Sequence, residues 1–329
     1  MNYKAIQLAK RPSGEITPDI FEIVELETPA LEDGQFLVKQ TYMSLDPAMR
    51  TWLNPREDSY LPPVQIGEVM RSYGVGEVVD SCNANYPVGA QVIGVTGWAE
   101  YVLGNEEMQV VDASIDPETL LSVFYVTGLT AYVGVISIGQ PKAGETIVIS
   151  GAAGSVGSLA GQIAKAEGLR VVGTAGSDEK CRWLEEELGF DKAINYKTHD
   201  LAEQLDDACP NGIDLFFENT GGPIQQLAYS RMNRFGRIVV CGMIAEYNFE
   251  QPVPGPNWMD INLKGLRIEG FVLPDHMDKA QEASEALANY VQSGQIRFRT
   301  HVLEGLPSAI DGINLLFNGG NQGKLIVEL

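Results

Sequence analysis

Cysteine, histidine and basic charge are all scarce in this 329-residue chain. Its four cysteines, Cys82, Cys181, Cys209 and Cys241, lie far apart and never form Cys-x-x-Cys, which excludes a zinc knuckle and a disulfide framework. A reducing cytoplasm suits such thiols. Three histidines, His199, His276 and His301, stand apart from one another and from any cysteine at ligand spacing, so each is expected to be an ordinary surface or packing residue. No metal is expected. Against 44 acids there are 23 lysines and arginines, a net charge of −21 without a basic run, which argues against nucleic acid as a partner. Any phosphate must then be held by backbone N–H groups and a few chosen cations. No apolar stretch is expected to reach the roughly 18 residues of a membrane span. The start, "MNYKAIQLAKRPSG", has too short an apolar region for a signal peptide. The expectation is a soluble, unexported, cytoplasmic protein with no membrane partner. Internal repeats and low-complexity tracts are missing too.

What is present is glycine, 35 residues of it, above the usual share of about 7%. The length fits two domains with a cleft between them. From Tyr3 to about Val111, short β-like runs such as "YKAIQLA", "FEIVEL", "QFLVKQTYM" and "AQVIGV" are broken by Gly and Pro, which predicts a compact, mostly antiparallel β lobe. From about Leu120 strands and helices alternate. "ETIVIS" is followed by "SVGSLAGQIAKAEG", which places Val156, Leu159, Ala160, Ile163 and Ala164 on one helical face. "RVVGTAG" leads into a helix opened by Ser177, with Cys181, Leu184 and Leu188 inward. "KAINY", "IDLFFEN", "RIVVCG" and "LRIEGFV" continue the series, so this half is expected to be an α/β fold, a doubly wound parallel sheet covered on both faces. The predicted boundaries are 1–120, 121–296, and 297–329 returning to the first lobe.

"VISGAAGSVGS" (148–158) places Gly151, Gly154 and Gly157 directly behind a strand and at the head of a helix. Backbone N–H groups and the positive end of a helix dipole converge there, and that suits a pyrophosphate. The three glycines would permit the tight turn, the close backbone approach and the helix–strand packing of a dinucleotide fingerprint. The plain alternative is a glycine-rich turn without a ligand. NAD binders usually carry an acid about 20 residues on, for the ribose 2′-hydroxyl. Asp178 falls at that distance but sits in the first turn of a helix, where the dipole explains an acid. Lys180 and Tyr196, a cation and a phenol at the strand ends, fit a 2′-phosphate, so NADP is favoured over NAD. Lys180 could equally be a solvated helix lysine.

In order, "SLDPAMR" (44–50), "SYLPPVQIGEVM" (59–70), "GLTAYVG" (128–134), "GAAGSVG", "VVGTAGSDEK" (171–180), "FENTGG" (217–222), "CGMIAEYN" (241–248) and "GGNQGKLIVEL" (319–329) resemble the zinc-independent medium-chain dehydrogenase/reductases. The likeness spans nearly the whole chain and is greatest to the NADPH-dependent alkenal, leukotriene and prostaglandin reductases and the bacterial curcumin reductases. It implies a GroES-like β lobe, a Rossmann lobe, a homodimer, and reduction of a carbon–carbon double bond conjugated to a carbonyl. Where zinc-bearing relatives carry Cys and His ligands, this chain has "SLDP" and "IGEV". The resemblance further implies that Gly154, Ser155, Val156 and Gly157 meet the pyrophosphate, and Lys180 with Tyr196 the 2′-phosphate. Asn219, Cys241, Gly242, Met243, Ile244, Tyr247, Phe271, Val272, Leu273 and Asn321 would line the path from adenosine to nicotinamide. Tyr60 and Tyr247 match tyrosines beside nicotinamide and substrate.

The chemistry so implied moves hydride from NADPH to the β-carbon of an α,β-unsaturated ketone or aldehyde, and charge to its carbonyl oxygen as an enolate. A tyrosine hydroxyl, protonated at neutral pH, could stabilise that oxygen or pass a proton to the α-carbon. Tyr247 is the first candidate donor and Tyr60 the second; Tyr60 could also be a packed turn aromatic beside Pro62 and Pro63. A quinone reductase on the same scaffold and a non-catalytic NADPH-binding protein are the alternatives. One departure stands out: relatives commonly read Gly-Met-Pro where this chain has Tyr125, Val126 and Thr127, which could reshape the substrate cavity or fill a gap between helices. "LRIEGFV" is the expected seam of the dimer.

Overall fold

A computed structural model describes every residue except Glu57, Thr198, His199 and Pro252, so the reading of His199 lies outside the described residues. Seven strands precede residue 111: β1 (Asn2–Leu8), β2 (Phe21–Glu27), β3 (Phe36–Ser44), β4 (Arg71–Ser81), β5 (Gln91–Gly97), β6 (Tyr101–Gly104) and β7 (Gln109–Val110). Six more follow, β8 (Thr146–Ile149), β9 (Arg170–Ala175), β10 (Lys192–Asn195), β11 (Ile213–Glu218), β12 (Met232–Val240) and β13 (Arg267–Gly270). The chain closes with β14 (Thr300–Glu304) and β15 (Lys324–Glu328). Two compact units result, Met1–Leu121 with Thr300–Leu329, and Ser122–Arg299.

In the first unit the order is β14-β15-β3-β4-β5-β7, with β6 also on β3 and a separate β1–β2 hairpin pair. All pairings are antiparallel except β14 with β15. Its main core gathers Ile6, Leu8, Met43, Trp52, Trp98 and Val327. Lys324 is buried there and forms an ion pair with Asp46, the acid of "SLDP".

The second unit is a six-stranded parallel sheet in the order β10-β9-β8-β11-β12-β13. Alternate residues of one strand serve opposite cores: Ile147 and Ile149 join one cluster and Val148 the other, as Phe217 and Phe216 do on β11. A sheet apolar on both faces must be covered on both, and the alternating helices do so. The fold therefore comprises the expected Rossmann sheet and a separate, mostly antiparallel β unit. Strand order reverses between β8 and β11, and ligands of such sheets bind at the carboxyl ends flanking that reversal.

Helix Ser155–Ala166 is buried more widely than the expected stripe, since Ser158, Gly161 and Gln162 are also buried. An added Cβ at Gly161 would stand 1.9 Å from the Phe190 ring, so only glycine lets the helix lie this close. The expectation that no apolar stretch reaches the length of a membrane span needs correction. The helical run Pro117–Ile138 is long and apolar enough to cross a membrane by length and composition, with 67% of its apolar window buried inside the protein. Counting uninterrupted apolar residues missed it, because Ser, Thr and Gly break the run without lowering its mean hydropathy enough. Tyr125, the first residue of the Tyr-Val-Thr departure, marks a break in that run, at φ −126° and ψ −148° between Leu120–Phe124 and Val126–Tyr132.

Candidate functional site

The turn after β8 shows why its glycines are glycines. Gly151 has φ +59°, in the left-handed region that L side chains seldom adopt. A Cβ on Gly157 would lie 2.5 Å from the Gly151 carbonyl oxygen and 2.8 Å from Ala152 Cα, both backbone atoms that cannot turn aside. Gly154, the N-cap, is less constrained; its Cβ would meet only the Gly151 oxygen, at 3.2 Å. Ala152 N–H donates to Thr174 O at 2.9 Å, which pins the turn to β9. Ser155, Val156 and Gly157 then open a helix whose first N–H groups lack intrahelical acceptors by construction. The result is a backbone-lined cradle facing a helix N-terminus, a fit for a diphosphate.

At the end of β9, Ser177 caps helix Asp178–Glu186 by accepting from Lys180 N–H. Asp178, the acid at the NAD-type distance, accepts a hydrogen bond from Asn195 Nδ2 at 2.7 Å. Tyr196 and Lys197 both approach Gly176: a Cβ there would be 2.9 Å from the Tyr196 hydroxyl and 3.5 Å from Lys197 Cε. Burial lowers the pKa of Lys180, and repulsion from Lys197 lowers it further. Two mutually repelling lysines and a phenol gather at one strand end of a strongly acidic chain. Lys180 and Tyr196 were anticipated; Lys197 was missed, although it directly follows Tyr196 in "NYK".

The third group surrounds the strand ends at the topological reversal. Glu218, the last residue of β11, is fully buried. Its Oε1 accepts from the Ser150 hydroxyl at 2.5 Å, Thr220 N–H at 2.6 Å and Gly221 N–H at 3.0 Å. Asn219 donates its N–H to Ser150 Oγ at 2.7 Å and its side-chain amide to Ser150 O at 2.8 Å. Cys241 and Gly242 N–H groups bond the Glu218 carbonyl, Ile244 N–H bonds Asn219 O, and Ala245 N–H bonds Thr220 O. Tyr247 folds back so that its hydroxyl accepts from Met243 N–H at 3.3 Å. Burial, with Glu218 next, pushes the Cys241 thiol up to about 12, so it stays protonated and is no nucleophile at neutral pH. Phe271 N–H donates to Val240 O, and Val272 and Leu273 follow it into a short 3₁₀ turn. Asn219, Cys241, Gly242, Met243, Ile244 and Tyr247 are thus brought together, with Phe271 on the next strand end. Ser150 and Glu218 lie inside the stretches "VISGAAGSVGS" and "FENTGG" but were given no role, because nothing local shows that they meet.

Tyr60 and Asn321 belong to the first unit. The buried Trp52 indole donates to the Tyr60 hydroxyl at 3.1 Å, and burial raises the Tyr60 pKa. Tyr60 keeps 40% of its surface exposed. Asn321 is buried and donates from Nδ2 to Gly323 O at 3.0 Å.

Residues 4–111 match the family described as the N-terminal domain of oxidoreductase, and residues 155–289 the one described as zinc-binding dehydrogenase. The chain is 38% identical to the NADPH-dependent curcumin reductase of Escherichia coli, over 98% of this chain and 95% of that one. It is 39% identical to prostaglandin reductase 1 of Bos taurus, over 99% and 98%. The chain belongs to the medium-chain dehydrogenase/reductase family. Among solved members of that family, CurA of Vibrio vulnificus in complex with NADPH superposes with a TM-score of 0.95 at 37% identity, covering 99% of this chain and 98% of the other. This places it in the reductase branch of the family. Among the described residues, no group of three or more His, Cys, Asp or Glu could hold a metal ion.

Proposed function

We propose that this chain is an NADPH-dependent reductase of the carbon–carbon double bond in α,β-unsaturated ketones and aldehydes. The observation that carries the reading is the set of carboxyl-end features on one sheet: a glycine cradle, a two-lysine rim and the Tyr247 hydroxyl held by Met243 N–H. The named activities of its curcumin and prostaglandin reductase relatives support it.

Gly154, Ser155, Val156 and Gly157 hold the diphosphate by backbone N–H groups; Lys180, Tyr196 and Lys197 hold the 2′-phosphate. Asn219, Cys241, Gly242, Met243 and Ile244 line the path toward the nicotinamide, with Phe271, Val272, Leu273 and Asn321. When bound, NADPH supplies the hydride for the β-carbon. The Tyr247 hydroxyl meets the negative charge that develops on the substrate's carbonyl oxygen and can hand a proton onward. Tyr60 is the second candidate for that role. The Trp52 indole donates to its hydroxyl.

We also propose a homodimer, and a cytoplasmic protein, since all four thiols are free. Strand β13 ends its sheet, and Phe235, Trp258, Met259 and Leu263 stand exposed on the neighbouring segments, Trp258 at 76%. An open strand edge flanked by apolar side chains is suited to a second copy. Sedimentation velocity should report a dimer that Leu263→Glu splits; a wild-type monomer would refute it.

The function is tested by mixing purified protein and NADPH with enals, enones, simple alcohols and quinones while following nicotinamide absorbance. Consumption with enals and enones is expected. Consumption with quinones alone would point to the quinone reductase, and none with any acceptor to a binding protein.

A further inference from the structure

Glu218 has no place in the roles above, yet more hydrogen bonds of the strand-end assembly meet at it than at any residue assigned a role. We infer that Glu218 is a positioning residue for the reduction: its carboxyl sets the Asn219–Gly221 turn, and through that turn the loop that carries Tyr247. The inference rests on the enone-reductase reading only for its catalytic consequence.

Three donors from two strand ends converge on Oε1, the Ser150 hydroxyl from the end of β8 and the N–H groups of Thr220 and Gly221 from beyond β11. Ser150 lies 68 residues earlier in the chain, so this one oxygen ties together the two strands that flank the topological reversal. The turn so held offers its own carbonyls onward, Asn219 O to Ile244 N–H at 3.1 Å and Thr220 O to Ala245 N–H at 2.9 Å. A return contact closes the circuit, because Gly222 N–H donates to Glu246 Oε1 at 3.1 Å. Gly221 must be glycine for this: its φ is +76°, and a Cβ would lie 2.6 Å from that same Glu246 oxygen. Tyr247 follows Glu246 directly, so its hydroxyl is aimed by a chain of contacts that begins at the Glu218 carboxyl.

The second oxygen, Oε2, is buried without a hydrogen-bond partner. The three donors on Oε1 favour the ionised carboxylate, against its burial. Burial outweighs them and raises the Glu218 pKa, and the Glu246 carboxylate adds to this. What the turn requires is an acceptor at Oε1. This distinguishes glutamine from an apolar replacement, since glutamine keeps an acceptor at Oε1 and methionine does not.

The test compares wild type, E218Q, E218M and S150A by hydrogen exchange at the amides of Thr220, Gly221, Cys241, Gly242, Ile244 and Ala245, and by kcat and KM with NADPH and an enone. In E218M, faster exchange confined to these six amides is expected, with kcat down roughly a hundredfold, the scale of a reacting group misplaced by about 1 Å. E218Q should restore both, and S150A should show a smaller change of the same kind. Unchanged exchange at these amides in E218M would overturn the inference, as would equal loss in E218Q. Exchange raised evenly over β8–β13 would show a merely structural role and overturn it too. If E218M fails to fold, S150A and E218Q decide alone: wild-type exchange at these amides in S150A overturns the inference. A wild type that turns over no enone would sink the enone reading, while the exchange pattern would still decide this one.

Discussion

Asn195 Nδ2 donates a hydrogen bond to Asp178 Oδ1 at 2.7 Å. By position Asp178 is the carboxylate that would grip a ribose 2′-hydroxyl, and here the end of β10 engages it at the head of its helix. On the same rim, Lys180 and Lys197 repel one another across the end of β9. Like charges brought together in a chain of net charge −21 are accounted for when a dianion lies between them.

Lys197→Ala and Lys180→Ala should each weaken NADPH binding by about 1.5–3 kcal/mol, the worth of a hydrogen bond to a charged group, while NADH affinity stays as it was. Titration calorimetry with both coenzymes measures this. Equal losses for NADH would remove these lysines from the 2′-phosphate.

Tyr247→Phe should lower kcat by about 10²–10⁴-fold, the range of a positioned acid, and leave NADPH affinity nearly intact. Tyr60→Phe leaves the Trp52 indole without its acceptor as well as removing a hydroxyl, so its effect should extend to stability. Steady-state kinetics beside thermal denaturation separates the two tyrosines; full activity in Tyr247→Phe takes it out of the mechanism.

Gly157→Ala should cost about 1–3 kcal/mol through overpacking against backbone, and should weaken NADPH binding because the cradle must open to admit the methyl group. Gly154→Ala, with one contact at 3.2 Å, should be milder. Urea unfolding of both variants checks the order, and a more damaging Gly154→Ala would contradict the packing described.

Glu218 imposes a pH dependence whose sign follows from its raised pKa. Below its ordinary value of about 4.3, both folded and unfolded chains hold the proton and the full stability is present. As pH rises toward the raised folded value, the unfolded chain has lost a proton that the folded one keeps, so stability falls by about 1.4 kcal/mol per pH unit. E218Q does not titrate, so it should gain on wild type as pH rises above the ordinary carboxyl value in denaturant melts. A constant gap would mean that Glu218 ionises normally.

Much of this protein is legible from local pattern alone. The alternation of strand and helix after residue 120, and the glycines at 151, 154 and 157, follow from periods of two and 3.6 and from steric rules that act within a few residues, so the parallel sheet and the backbone cradle could be read from the chain. The helical run Pro117–Ile138 was harder, because its small polar residues hide among apolar ones and its π-turns break the helical period. What only the tertiary structure decided is which isolated side chains matter. Ser150 and Glu218 sit 68 residues apart with nothing local to pair them, Lys197 looks like any surface lysine, and Asp178 looks available until Asn195 is seen beside it. Hydrogen bonds act over about 3 Å, and it is the folding of the sheet that brings residues 17 to 69 positions apart within that reach.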